Sequence, residues 1–102
     1  MILLVDVGNT RVKWATLVDG RQSPQQAAAY AQWSAADWHR ELFSATGIEH
    51  VVATTVAGGD TRVVLEAAAH RAGVAHVVFV TSTAALAGVR NAYAEPSLLG
   101  ID

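Results

Sequence analysis

Residues 1–7 form an apolar run broken only by Asp6, and residues 12–18 form a second stretch rich in β-branched side chains, so two strands are predicted at the start of the chain. Gly8-Asn9 between them fits a two-residue type II′ loop, whose first position has positive φ and therefore favours glycine. That loop sets a register of Val7 opposite Thr10, Asp6 opposite Arg11, Val5 opposite Val12 and Leu4 opposite Lys13. Asp19-Gly20 signals another turn, and residues 27–33 can serve as a third strand. Ser34, with Asp37 three positions on, starts a helix as a capping box in which Asp takes the usual Glu position. Trp38, Leu42 and Phe43 supply its apolar stripe, and Gly47 is expected to end it. A β-branched run over 50–56 is the next strand. A helix over 61–72 follows, with Val64, Leu65, Ala68 and Ala69 as its inner side and Gly73 as its stop. Residues 74–80 are apolar enough for a central strand covered on both faces, and a further short helix is expected over 83–86.

The order β-β-β-α-β-α-β, three hairpin-linked strands and then alternating helices, predicts an α/β fold: a ribonuclease H-like mixed sheet with flanking helices. The 102 residues, 52% hydrophobic and 16% charged, describe one globular unit with one core. A net charge of -2 with seven scattered basic residues leaves no electrostatic footprint for nucleic acid. No apolar stretch approaches a membrane span, and no basic segment precedes the first apolar run as in a signal peptide. The absence of cysteine removes disulfides and thiolate metal sites and fits a reducing compartment. A cytoplasmic protein without nucleic-acid or membrane partners is therefore expected.

The predicted hairpin also carries the candidate chemistry. A side-chain period of two puts Asp6, Arg11 and Lys13 on one face. A carboxylate able to hold a divalent cation would then sit beside turn N–H groups and two cationic side chains, which suits magnesium on nucleotide phosphates. The same geometry equally describes a surface hairpin with an ordinary Asp6–Arg11 cross-strand ion pair. Spacing alone leaves both open.

The run Asp6-Val7-Gly8-Asn9-Thr10-Arg11-Val12-Lys13-Trp14 resembles the first phosphate motif of the type III pantothenate kinases, also called the Bvg accessory factor family. A second segment, Asn91-Ala92-Tyr93-Ala94-Glu95-Pro96-Ser97-Leu98-Leu99-Gly100-Ile101-Asp102, is similar to the family's N-x-Y-x-x-P-x-x-L-G-x-D-R pattern up to the last residue. The resemblance implies one half of the acetate kinase, sugar kinase, Hsp70 and actin superfamily fold, so residues 1–102 are expected to be an N-terminal half-domain whose C-terminal partner is not in this chain. It implies ATP-dependent phosphorylation of pantothenate, the first step toward coenzyme A. Position by position, Asp6, Val7, Gly8, Asn9, Thr10, Arg11, Val12 and Lys13 would bind ATP, with Asp6 also near Mg2+. Tyr93, Gly100, Ile101 and Asp102 would contact pantothenate, with Asp102 as proton acceptor for its hydroxyl. The family further implies a monovalent cation, K+ or NH4+, whose ligand is not in this chain, and a homodimer in the full-length protein.

Read without the resemblance, Pro96 marks a first helical turn and Asp102 is a solvated acid at a chain end. Tyr93 by itself is more often a core or rim aromatic than a ligand contact. The four histidines (39, 50, 70 and 76) lack metal-site spacing, and the three tryptophans are read as packing residues. Ser82 and Thr83 sit in no G-x-S-x-G, and Gly58-Gly59-Asp60 is read as a helix cap because the G-x-x-x-x-G-K-[ST] pattern is missing. Two alternatives from other classes are weighed. One is a non-catalytic regulatory or interaction module on the same fold. The other is a metal nuclease, which would need several clustered acids, whereas the first strand offers Asp6 alone. The isolated chain is expected to be an inactive half, because half of a cleft cannot exclude water.

Overall fold

Alternation along the first strand decides the architecture, because both of its faces are apolar. The computed structural model describes residues 1–56, 59–82 and 84–88. β1 (Ile2–Val7) lies near the middle of a sheet that has six strands among the described residues. It pairs antiparallel with β2 (Arg11–Val18) and parallel with β5 (His50–Thr55), which pairs parallel with β6 (Val77–Phe79). The other edge of β2 carries two short antiparallel strands, β3 (Arg21–Gln22) and β4 (Gln26–Ala29). The order β3-β2-β1-β5-β6, with β4 also on β2, and these strand directions match the expected ribonuclease H-like mixed sheet.

One face of the sheet is the main core. Leu3, Val5 and Val7 of β1, Val12 and Trp14 of β2, and Val51 and Ala53 of β5 pack against two helices. The first is α1 (Ala35–Leu42), which buries Trp38 and Leu42; the second is α2 (Gly59–Arg71), which buries Leu65, Ala68 and Ala69. The capping box at Ser34 forms as expected: the Ser34 hydroxyl accepts from the Asp37 N–H, and the Asp37 carboxylate accepts from the Ser34 N–H at 2.8 Å. Gly73 terminates α2 with φ of +87°, and the Val74 N–H reaches the Ala69 carbonyl while the Gly73 N–H reaches that of His70, the pattern of a Schellman cap. Trp14, Trp33 and Trp38 are packing residues as read, in edge-on pairs with centroids 6.0 Å and 5.1 Å apart.

Several expectations need correction. The third strand expected over 27–33 is β4, which covers only Gln26–Ala29, and an unexpected short strand, β3, precedes it across a break at Ser23-Pro24-Gln25. The Ser23 N–H donates to the Thr16 carbonyl and the Ser23 hydroxyl accepts from the Thr16 N–H, so the side chain takes the place of a strand carbonyl where Pro24 has no N–H to continue the ladder. α1 stops at Leu42 with Phe43 as its cap, and Gly47 sits in the following loop with φ of +86°. α2 begins two residues before the expected Thr61. The last strand covers only 77–79 and is an edge among the described strands, with Val78 56% exposed where coverage on both faces was expected. Its inward residues, Val77 and Phe79, are partly buried against the main core, so one face is packed and not two. Residues 84–88 are helical, in line with the short helix expected near there, and Ser82 caps them: its hydroxyl accepts from the Ala85 N–H.

Candidate active site

The β1–β2 connection is where the sequence placed the chemistry, and its geometry differs from the expected turn in a specific way. The Gly8 N–H donates to the Arg11 carbonyl at 2.8 Å and Val7 pairs with Val12, so the two loop residues are Asn9 and Thr10. Gly8 is not among the residues with positive φ, which removes the type II′ assignment. Its demand is steric: a Cβ there would lie 3.3 Å from the Arg11 carbonyl oxygen. The register moves by two residues from Asp6 opposite Arg11 to Asp6 opposite Lys13. A shift of two preserves the side-chain period, so Asp6, Lys13 and Arg11 still share one face.

That face is the one opposite the main core. Ile2, Leu4, Leu17 and Val52 form a smaller apolar cluster on it together with Leu86 from the helical residues 84–88. Asp6, partly buried, continues the Ile2–Leu4 row toward the turn, and Lys13 and Arg11 are exposed beside it. On the neighbouring strand Ala27 pairs with Lys13 and Ala29 with Arg11, and these small side chains leave the two cations room. Thr54, 2% exposed, pairs with Asp6 from β5. A depression of about 250 Å³ lined by Asp6, Gly8, Asn9, Thr10, Arg11 and Lys13 lies at the turn. A second of about 200 Å³ runs back toward Gln22 and Leu86 and shares Asp6 and Lys13 with the first.

The alternative of an Asp6–Arg11 surface pair is not what forms. Among the described residues the ion pairs join Met1 to Glu49 and Arg40 to Asp37 and Glu41, and neither Asp6, Arg11 nor Lys13 takes part. The Asn9 and Thr10 N–H groups likewise have no acceptor among the described residues. The turn thus presents two donors, two cations and one carboxylate, none of them engaged by another described residue. Among the described residues no group of three or more His, Cys, Asp or Glu could hold a metal by itself, so any divalent ion here would need most of its ligands from elsewhere.

Sequence reasoning missed the residue that holds the turn from behind. Tyr30, one position past β4, donates its hydroxyl proton to the carbonyl oxygens of Gly8 (2.6 Å) and Asn9 (3.0 Å), and its own N–H donates to the Thr10 carbonyl at 3.4 Å. Its ring packs on Trp38 with centroids 5.2 Å apart. The signal that could have found it is register: an aromatic at the end of a strand pairing with β2 must lie beside the turn that β2 leaves. The other sequence-derived candidates, Tyr93, Gly100, Ile101 and Asp102, lie outside the described residues.

Residues 2–102 match the family model described as "Type III pantothenate kinase". The chain belongs to the type III pantothenate kinase family. Proteins of that name are similar along its whole length: one from Herminiimonas arsenicoxydans is 41% identical over 108 residues, one from Janthinobacterium sp. 41% over 111, and one from Aromatoleum aromaticum 36% over 103. The match covers all of this chain but 42%, 42% and 41% of those relatives, so the chain spans about two fifths of the length of the curated relatives it matches. A solved Ppx/GppA family structure from Aquifex aeolicus overlays 78% of this chain and 34% of its own at a TM-score of 0.38 and 14% identity, too loose to bear on the fold. The mixed sheet with flanking helices and the pantothenate kinase family together fit an actin/Hsp70/sugar kinase-like fold. No helix among the described residues is long and apolar enough to cross a membrane.

Proposed function

We propose that this chain is the ATP-handling N-terminal half-domain of a type III pantothenate kinase, which transfers the γ-phosphoryl group of ATP to the primary hydroxyl of pantothenate and gives 4′-phosphopantothenate for coenzyme A synthesis. One observation carries this reading beyond family membership: Asp6, Arg11 and Lys13 face the same depression as two turn N–H groups that have no acceptor among the described residues, with no ion pair among the three side chains. A surface hairpin would use its opposite charges on each other. Charges left apart around a concave turn suit a polyanion with its cation.

Phosphoryl transfer passes through a loose transition state, so the protein's work is to position groups and stabilise charge. Lys13 and Arg11 would neutralise phosphate oxygens, and the Asn9 and Thr10 N–H groups would fix their orientation. The residues present fit magnesium: one partly buried carboxylate, with no ion pair among the described residues, beside open space gives the sparse protein ligation this ion takes when phosphates and water fill most of its shell. Asp6 would hold it directly or through water, and when bound it would offset charge on the transferring phosphoryl group. Asp102 would orient the attacking hydroxyl and take its proton late, with Tyr93, Gly100 and Ile101 along the pantothenate. The monovalent cation, the homodimer and a cytoplasmic location belong to the same reading, and the cation's ligand would come from outside this chain.

The test is ATP-dependent formation of 4′-phosphopantothenate by the full-length protein carrying this chain. Turnover that Asp6→Asn and Asp102→Asn each abolish supports the assigned roles, and an active protein indifferent to Asp102→Asn removes that residue from the mechanism. Titration calorimetry with ATP and magnesium separates a kinase from an interaction module on the same fold, which would give no saturable heat.

A further inference from the structure

The turn is held in shape from the core side, and the holding group sits on the opposite face of the sheet from the charges. β4 pairs with β2 as Arg11 with Ala29 and Val12 with Ala28, so Tyr30 falls opposite Thr10 on the side of Ala28 and Val12, which face the main core. Its ring is fixed in a row of aromatics: Tyr30 on Trp38, Trp38 on Trp33, Trp33 on Trp14. From that anchored position the phenol accounts for two carbonyls of the turn, those of Gly8 and Asn9. In a trans peptide unit the C=O and the following N–H point in opposite directions. Carbonyls of Gly8 and Asn9 drawn toward Tyr30 therefore aim the N–H groups of Asn9 and Thr10 away from the core, toward Asp6, Arg11 and Lys13.

We propose that Tyr30 is a positioning residue for anion binding, its hydroxyl setting two peptide planes so that the Asn9 and Thr10 N–H groups face the depression as preformed donors to a polyphosphate. This rests on the phosphate reading of the turn and adds a residue to it that never touches the ligand. Without the hydroxyl the two planes are free to rotate, and their orientation must be fixed at the moment of binding, which weakens affinity. The side chains of Lys13 and Arg11 are untouched, so charge attraction remains and only the directed hydrogen bonding is lost.

The experiment compares wild type with Tyr30→Phe in the full-length protein, using inorganic tripolyphosphate as the probe and amide NMR as the readout. Wild type is expected to show tripolyphosphate-dependent shifts at the Asn9 and Thr10 amides, and the variant to lose them with affinity reduced about tenfold, the lower end for one hydrogen bond to a charged group. In turnover the KM for ATP should rise by a similar factor while the KM for the acceptor alcohol stays put; a merely structural role would move the melting temperature and leave that split absent. Tyr30→Phe that binds tripolyphosphate as tightly as wild type, with the same amide shifts, overturns the proposal. A wild type with no response to tripolyphosphate instead overturns the phosphate reading itself, and the Gly8 and Asn9 carbonyl shifts between wild type and variant still report whether the clamp exists. Should Tyr30→Phe fail to fold, 4-fluorophenylalanine at position 30 keeps a ring with a para substituent but has no O–H to donate; tripolyphosphate affinity and Asn9 and Thr10 amide shifts equal to those of wild type overturn the proposal.

Discussion

The two faces of the sheet are built from the same strands and do different work. On one, Leu3, Val5, Val7, Val12 and Trp14 are buried under two helices and an aromatic row, with no charged side chain among them. On the other, the alternate residues of the same strands begin as an apolar patch, Ile2, Leu4 and Leu17, and become Asp6, Lys13 and Arg11 toward the turn. A strand exposes its two faces independently, so one can be spent on packing while the other holds unpaired charge. Tyr30 is where the two meet: its ring belongs to the packed face and its hydroxyl shapes the turn that serves the charged one.

Loss of the aromatic centre of the packed face should have the largest effect. Trp38→Ala is expected to cost about 3–5 kcal/mol in denaturant unfolding, the range for a large aromatic lost from a core. A cost below about 1 kcal/mol would mean that the row does not hold this face together.

Adjacent leucines sharpen the contrast. Leu3 is fully buried in the main core and Leu4 lies 5% exposed in the smaller cluster. Leu3→Ala should fall toward the upper part and Leu4→Ala toward the lower part of the roughly 2–5 kcal/mol range for such truncations, because a thinner layer relaxes more easily around the missing atoms. Equal losses by chemical denaturation would show the two faces to be equally well packed.

Lys13→Ala tests the charged face alone. It is expected to lower ATP affinity about tenfold by calorimetry while moving stability by less than about 0.5 kcal/mol, since the side chain is exposed and unpaired among the described residues. A variant that loses stability but not affinity would place Lys13 with the packing residues.

The smallest effects lie at the α1 cap, which belongs to the packed face. Ser34→Ala should cost about 1 kcal/mol, the usual worth of an N-cap hydroxyl. The Ser34 backbone N–H, and then Arg40, hold the Asp37 carboxyl below its ordinary value of 3.8. A depressed folded-state value means that the contribution is complete above that ordinary value and disappears as pH falls through the lowered one. The stability difference between wild type and Asp37→Asn should therefore shrink on acidification below about pH 4. A difference that stays constant or grows would contradict the cap's charge.

Much of this was legible in the chain. The capping box at Ser34 and Asp37 and the Gly73 stop are local devices, written within a few residues of where they act. The face shared by Asp6, Arg11 and Lys13 was legible for a different reason. Parity survives a register error of two, so a wrong turn still gave the right grouping. What failed was decided by distant partners. Residues 74–80 are apolar enough for a central strand, yet their place in the sheet depends on which neighbours they find. Residues 27–33 carry strand propensity, yet the pairing stops at Ala29, because its partner Arg11 is the first residue of β2. Tyr30 was silent because its partners are backbone carbonyls more than twenty positions away, which no local pattern encodes.

The amino-acid order by itself determined the alternation of the strands, the caps of the helices and the collection of a carboxylate and two cations at one turn, because each depends on neighbours a few residues apart. Tertiary structure alone decided that the turn is Asn9-Thr10, that its charges stand unpaired among the described residues and that a phenol from across the sheet braces its carbonyls. Those facts arise from where chain segments meet, and the meeting is set by burying the aromatic row against β1 and β2.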